Sequence, residues 1–228
     1  MTALVGLCHS GDSIAGIQNS YFYQAFGFAS TGDAGVVLMQ SSAIYYYGKD
    51  LIARNMAITG TRLGGASPNL NALAPGSIDT IIPTSRLYPP LDRVRKYIFT
   101  TAIGSNDGAL GGFATPALYA AAVAACCQAR KAAGYDLVGM CTLLPRNDGV
   151  MTEPNRTTYD STLTGVGWAA ANQIDFICDL ASDSIMGDPA NCSNTMWYVD
   201  GVHPTTAGYA RLAPIYLASI LAAVATLG

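Results

Sequence analysis

The chain has 228 residues, half of them apolar and only 12% charged, which supplies a sizeable core and excludes a disordered protein. Its net charge is −3, and its 12 Lys and Arg are scattered instead of forming the basic stripe a nucleic-acid binder needs. No apolar run reaches the roughly 18 residues of a membrane span. The longest candidate, Leu212–Leu227, is interrupted by Pro214 and reads as a buried amphipathic helix.

Met1 is followed almost at once by a strand-like run, with no basic region and hydrophobic stretch ahead of a cleavage site. The expectation is a cytoplasmic protein or a secreted one whose leader has been removed. The six cysteines form no C-x-x-C pair, and neither histidine adjoins a cysteine cluster, which argues against zinc. Cys8, Cys141 and Cys178 lie in apolar runs and read as buried thiols. Cys178 and Cys192 bracket a short loop that a disulfide could close.

In chain order, short and nearly continuous apolar runs at Ala3–Cys8, a stretch ending in Asn55–Ile58, Tyr97–Ile103, Leu137–Leu144 and Ile174–Cys178 read as parallel strands covered on both faces. Helices are expected between them. Thr115–Ala133 opens on Thr115-Pro116, a cap with proline at the first helical position, and stops near Gly134. Pro154–Gln173 and Thr205–Leu227 follow, the latter capped by Thr205. Alternating strands and helices indicate an α/β protein with a mostly parallel sheet, and no linker, repeat or charge block divides residues 1–228, so one domain is expected.

Ligands of such sheets bind beyond the carboxyl ends of the strands. The residues that follow the first four strands are His9-Ser10-Gly11-Asp12-Ser13, Thr59-Gly60-Thr61-Arg62, Gly104-Ser105-Asn106-Asp107 and Pro145-Arg146-Asn147-Asp148. Three of these sets hold a nucleophile, a glycine amide and a side-chain amide donor, all on one rim.

Ser13 stands at a strand-to-helix junction, where it reads either as an ordinary helix cap or as a nucleophile. A serine hydroxyl reacts poorly without an adjacent base, so the choice turns on histidine. Of the two histidines, His9 has only Asp12 nearby and reads as a rim residue or one that supports the site from behind it. His203 lies three residues after Asp200, close enough for the carboxylate to orient the imidazole, although Asp200 could simply cap the turn.

Gly11-Asp12-Ser13-Ile14, Asn55-Met56-Ala57-Ile58-Thr59-Gly60, Gly104-Ser105-Asn106-Asp107 and Asp200-Gly201-Val202-His203-Pro204 together resemble, in order, the conserved blocks of the SGNH hydrolases, also called GDSL esterases and lipases. The resemblance implies a three-layer α/β/α sandwich around a flavodoxin-like parallel sheet of about five strands. It implies Ser13 as nucleophile, His203 as base and Asp200 as acid. The oxyanion would be held by the amides of Ser13 and Gly60 and the side chain of Asn106. It implies no cofactor and no metal. Isoleucine replaces the leucine of the first block. In the second, Thr61-Arg62 stands where many relatives carry an acidic residue and a threonine, so Arg62 either meets a polar substrate or makes a surface ion pair.

An α/β-hydrolase is excluded because Gly11-Asp12-Ser13-Ile14-Ala15 lacks the closing glycine of the nucleophile elbow and follows the first strand. A nucleotide-binding domain is excluded because neither G-x-G-x-x-G nor G-x-x-x-x-G-K-[ST] occurs. The expected substrate is a small-molecule or glycan ester. Connections are short apart from Ser67–Pro90 and Gly187–Tyr198, which suits small acyl groups such as acetyl on carbohydrate. Tyr88, Phe113, Trp168, Trp197 and Tyr198 offer aromatic surface for sugar rings, although ordinary core or rim packing accounts better for each. A lipase, lysophospholipase or thioesterase for longer chains, an acyltransferase, and a non-catalytic binding module on the same fold remain open. Oligomeric state is not legible.

Overall fold

The computed structural model describes residues 4–16, 20–26, 45–47, 51–55, 57, 62–63, 94–107 and 115–228. Its centre is a six-stranded sheet built from β1 (Leu4–Gly11), β2 (Tyr45–Tyr47), β3 (Leu51–Asn55), β4 (Val94–Ala102), β5 (Leu137–Cys141) and β6 (Phe176–Cys178), in the order β2-β3-β1-β4-β5-β6. Five strands run parallel, and β2 pairs antiparallel with β3 at the edge. Without β2 the order is the 2-1-3-4-5 arrangement of flavodoxin-like sheets, as expected.

Helices α1 (Ser13–Gly16), α2 (Tyr21–Ala25), α3 (Pro116–Ala132), α4 (Glu153–Thr164), α5 (Trp168–Ala171) and α6 (Thr206–Ala225) complete the elements, with short 3-10 turns at Leu180–Ser182 and Pro189–Ser193. Both expected caps are present. The Leu118 amide donates to Thr115 Oγ1 at 3.3 Å and the Gly208 amide to Thr205 Oγ1 at 3.1 Å. One face of the sheet packs Val5 and Leu7 against Tyr21 and Phe22 of α2 and Tyr209, Leu212 and Tyr216 of α6. The other packs Cys8, Phe99 and Val138 against Tyr119 and Val123 of α3 and Tyr159 and Leu163 of α4. Helices on both faces of a parallel sheet give the three-layer sandwich.

Several boundaries differ from expectation. Strand β1 runs past Cys8 to Gly11 because β3 pairs it through His9 and β4 through Gly11, so polar residues at its end still find ladder partners. The segment expected to be one helix over Pro154–Gln173 is two, α4 and α5, since two glycines in three residues, Gly165 and Gly167, take the chain out of helical geometry. The final helix continues through Pro214 and reaches 20 residues, with a mean hydropathy of 1.4 that would suffice for a membrane span by length and composition. Its stripe of Tyr209, Leu212, Ala213, Tyr216, Ile220 and Ala223 is buried against the sheet. Cys178 and Cys192 do not form a disulfide, and both thiols are free and buried. Cys178 stands in register with Cys141 on the neighbouring strand instead.

Candidate active site

The carboxyl ends of β1, β4 and β5 converge on one rim. Gly11 ends β1 where an added Cβ would lie 2.5 Å from the Ala102 carbonyl oxygen and 2.8 Å from Ala15 Cβ. Only glycine lets β1 turn into α1 this close to β4. The Asp12 amide donates to the same Ala102 oxygen at 3.3 Å, and Asp12 Oδ1 accepts the Ile14 amide at 2.9 Å. Asp12 is therefore the residue that caps α1. That leaves Ser13 Oγ unused by the helix, and it meets His203 Nε2 at 2.8 Å.

His203 arrives from the segment before α6. Its Nδ1 lies 2.8 Å from Asp200 Oδ2, while Asp200 Oδ1 accepts the amides of Val202 at 3.0 Å and His203 at 2.8 Å. Both oxygens of one carboxylate thus fix the imidazole and its backbone. With Nδ1–H donating to Asp200, Nε2 is the acceptor that faces Ser13. Partial burial works to raise the Asp200 carboxyl, but the bonds from the His203 amide and imidazole and the Val202 amide outweigh it and hold the carboxyl below its ordinary value. Ser13 is 8% exposed, and the side chains of His203 and Asp200 are 26% and 52% exposed, so the hydroxyl sits at the bottom of an open site.

Asn55 Nδ2 donates to the Ala15 carbonyl at 2.8 Å and Asn55 Oδ1 accepts the Ala57 amide at 2.9 Å, tying the end of β3 to α1. Asn106 is half-buried on the turn after β4, beside the end of β1. That turn is closed by the Asp107 amide donating to the Gly104 carbonyl at 3.0 Å. The fully buried Asp107 carboxylate accepts the Leu63 amide at 3.1 and 3.0 Å, so it braces the loop that follows β3. Arg62 immediately precedes Leu63 and is half-buried. Gly60 lies outside the described residues, as do Thr61, Tyr88, Phe113 and the segment Ser67–Pro90.

Of the expected aromatic surface, Tyr198 is buried, with its hydroxyl donating to the Met186 carbonyl at 2.8 Å, and so cannot stack on a ligand. Trp197 is half-buried, and the Arg211 guanidinium lies 5.6 Å from its ring centroid, covering one face. Trp168 packs beside the core formed by α3 and α4. Among the described residues no group of three His, Cys, Asp or Glu side chains is placed to hold a metal ion.

His9 is not on the rim. It is fully buried, with Nδ1 2.8 Å from Thr100 Oγ1, Nε2 2.9 Å from the Tyr21 hydroxyl, and its ring stacked on Phe22 at 5.3 Å. Burial pushes its imidazole from 6.5 down to about 3. Asp12 moves the opposite way. Burial lifts its carboxyl from 3.8 to about 6, against the pull of the Ile14 amide and the attraction of His203 and Arg146. Stability owed to neutral His9 is complete above pH 6.5 and is lost as pH falls towards 3, by about 1.4 kcal/mol per pH unit. Stability owed to protonated Asp12 is complete below 3.8 and is lost as pH rises through about 6. His9→Gln should therefore be less stable than wild type at pH 8, with the gap narrowing by roughly 2–3 kcal/mol by pH 4.5. Urea denaturation at the two pH values measures this. A gap independent of pH would contradict a buried neutral imidazole.

No protein-family model matches the sequence, and no curated protein matches it. Solved structures do match over nearly the whole chain. A mutant acetyl esterase with bound acetate ion superposes with a TM-score of 0.64 at 15% identity, covering 99% of this chain and 100% of that one. A carbohydrate esterase family 3 protein from Talaromyces cellulolyticus gives 0.59 at 15% identity, with 99% and 100% covered. A lipase/acylhydrolase from Enterococcus faecalis gives 0.55 at 13% identity, with 96% and 97% covered. The chain has the fold of the SGNH hydrolases, and its structural neighbours are esterases and lipases.

Proposed function

We propose that the protein is a serine esterase of the SGNH type that removes short acyl groups, with acetyl groups on carbohydrate as the preferred substrate class. The observation that carries this reading is the continuous chain Ser13 Oγ–His203 Nε2, His203 Nδ1–Asp200 Oδ2, with both links at 2.8 Å, at the carboxyl rim of the sheet. Asp12 supplies the helix cap, so the hydroxyl of Ser13 has no evident structural task.

In this reading His203 takes the proton of Ser13 as the oxygen attacks the ester carbonyl, and Asp200 stabilises the imidazolium that forms. The tetrahedral oxyanion is received by the amides of Ser13 and Gly60 and by the Asn106 side chain. His203 then gives its proton to the departing alcohol, and water, activated by the same imidazole, cleaves the acyl-enzyme. Removing the Asn106 donor with Asn106→Ala should lower kcat by about 10²–10³, with KM changing far less, because the contact forms fully only in the transition state. Steady-state kinetics on one acetyl ester measures this, and an unchanged kcat would remove Asn106 from the oxyanion site.

Likeness in fold to acetyl and carbohydrate esterases and the partly exposed side chains of His203 and Asp200 beside the buried Ser13 support small acyl groups on a large alcohol. One observation favours a second reading. Met196 and Val199, close in sequence to the acid, are each 60% exposed and would offer apolar surface to a longer acyl chain. Hydrolysis of p-nitrophenyl acetate, butyrate, octanoate and palmitate, followed by acetylated xylo-oligosaccharides, separates them. A rate that falls steeply with chain length, together with acetate release from the glycan, is expected. A maximum at octanoate or beyond would establish the lipid or thioester reading instead.

A further inference from the structure

The loop after β5 does more than leave the sheet. Arg146 directs one guanidinium nitrogen, Nη1, at the Ser105 carbonyl oxygen (2.7 Å) and the Ser105 hydroxyl (2.9 Å). Its Nε donates to Asp148 Oδ1 at 2.8 Å, and Nη2 pairs with the other oxygen of the same carboxylate. The side chain of Arg146 is only 8% exposed, although it carries a full charge. The hydrogen bond from Arg146, reinforced by its charge, holds the Asp148 carboxyl below its ordinary value. A planar fork whose nitrogens hold two separate partners is a fixed geometric element, which lysine cannot reproduce.

Ser105 directly precedes Asn106 and is itself buried. On the other side of Asn106, Asp107 is held by the Gly104 carbonyl and the Leu63 amide. Both neighbours of the half-exposed Asn106 are therefore pinned, one of them by Arg146. The next residue, Asn147, reaches the opposite wall of the site. Its amide donates to the Gly201 carbonyl at 3.1 Å and its Nδ2 to Ser193 Oγ at 3.0 Å. Gly201, with φ at 79°, lies inside the Asp200–His203 turn, and a Cβ there would fall 1.8 Å from Asn147 Oδ1.

We propose that Arg146 is a positioning residue that presets the Asn106 amide donor through Ser105. The proposal rests on the esterase reading, in which Asn106 binds the oxyanion. Donors aimed in advance at the developing charge work because they need not reorganise during the reaction, and a displacement of about 1 Å can cost 10²-fold. Arg146 touches no reacting atom, and its two bonds to Ser105 give its effect on the reaction a direct route through Asn106.

The test is a double-mutant cycle on p-nitrophenyl acetate with wild type, Arg146→Gln, Asn106→Ala and the double variant, with thermal melts alongside. Arg146→Gln should lower kcat by about 10- to 100-fold with KM within about twofold, and in the Asn106→Ala background the same change should cost less than about twofold. Arg146→Lys should fail to restore the rate. Asp148→Asn, which frees the guanidinium while leaving its charge, should give the same non-additive pattern at smaller size and serves if Arg146→Gln does not fold. A wild-type kcat in the folded variants, or losses that add in the double variant, would overturn the role of Arg146. A wild type with no esterase activity, or one whose activity survives Ser13→Ala, would overturn the esterase reading and the proposal with it.

Discussion

Replacing Ser13 with alanine should reduce ester hydrolysis by about 10⁴-fold or more while leaving the melting temperature within a few degrees of wild type. The two halves of this expectation have separate causes. Stability is spared because the Ile14 amide is capped by Asp12, and among the described residues Ser13 Oγ bonds His203 alone. Activity is lost because, among the described residues, no other hydroxyl takes the position 2.8 Å from Nε2. His203→Ala should produce a loss of the same size, and the double variant should be scarcely worse than either single one, since nucleophile and base act as a unit. Initial rates on p-nitrophenyl acetate with circular-dichroism melts are sufficient. Near-wild-type activity in Ser13→Ala would place the nucleophile elsewhere.

Asp200→Asn should cost about 10³–10⁴ in kcat, less than His203→Ala. The asparagine oxygen can still accept the amides of Val202 and His203, so the turn survives. Its NH₂ group, however, would face Nδ1 as a donor. The imidazole would then hold its proton on Nε2, where it can no longer accept from Ser13, and the imidazolium would lose its counter-charge. Asp200 is held ionised by its three bonds, so this contribution in wild type is present through neutral pH and is lost only as acid protonates the carboxyl. kcat and KM measured separately on one acetyl ester check this. A rate unchanged by Asp200→Asn would reduce Asp200 to a cap of the turn.

Much of this arrangement could be read from the sequence because it lies in local patterns. Apolar runs mark β1, β4 and β5, Thr115 and Thr205 mark helix starts, and three of the four ordered blocks mark Ser13, Asn106, Asp200 and His203. The misses are contacts between distant segments or competitions that pattern alone cannot weigh. His9 looks like a rim residue by its position before Ser13, yet Thr100 and Tyr21 satisfy both ring nitrogens inside the core. The spacing of Cys178 and Cys192 would admit a disulfide, whereas strand register sets Cys178 beside Cys141. The three-residue antiparallel strand Tyr45–Tyr47 is too short to carry a period. Arg146 was visible only as one polar residue after a strand, since its partner Ser105 is 41 positions away.

The central claim is that Ser13 is a hydroxyl activated by His203, and covalent labelling with a fluorophosphonate tests it most directly. Wild type should take up one label per chain, located by peptide mass spectrometry on Ser13, while His203→Ala reacts at a small fraction of that rate and Ser13→Ala not at all. Labelling of another residue, or equal labelling of wild type and His203→Ala, would contradict it.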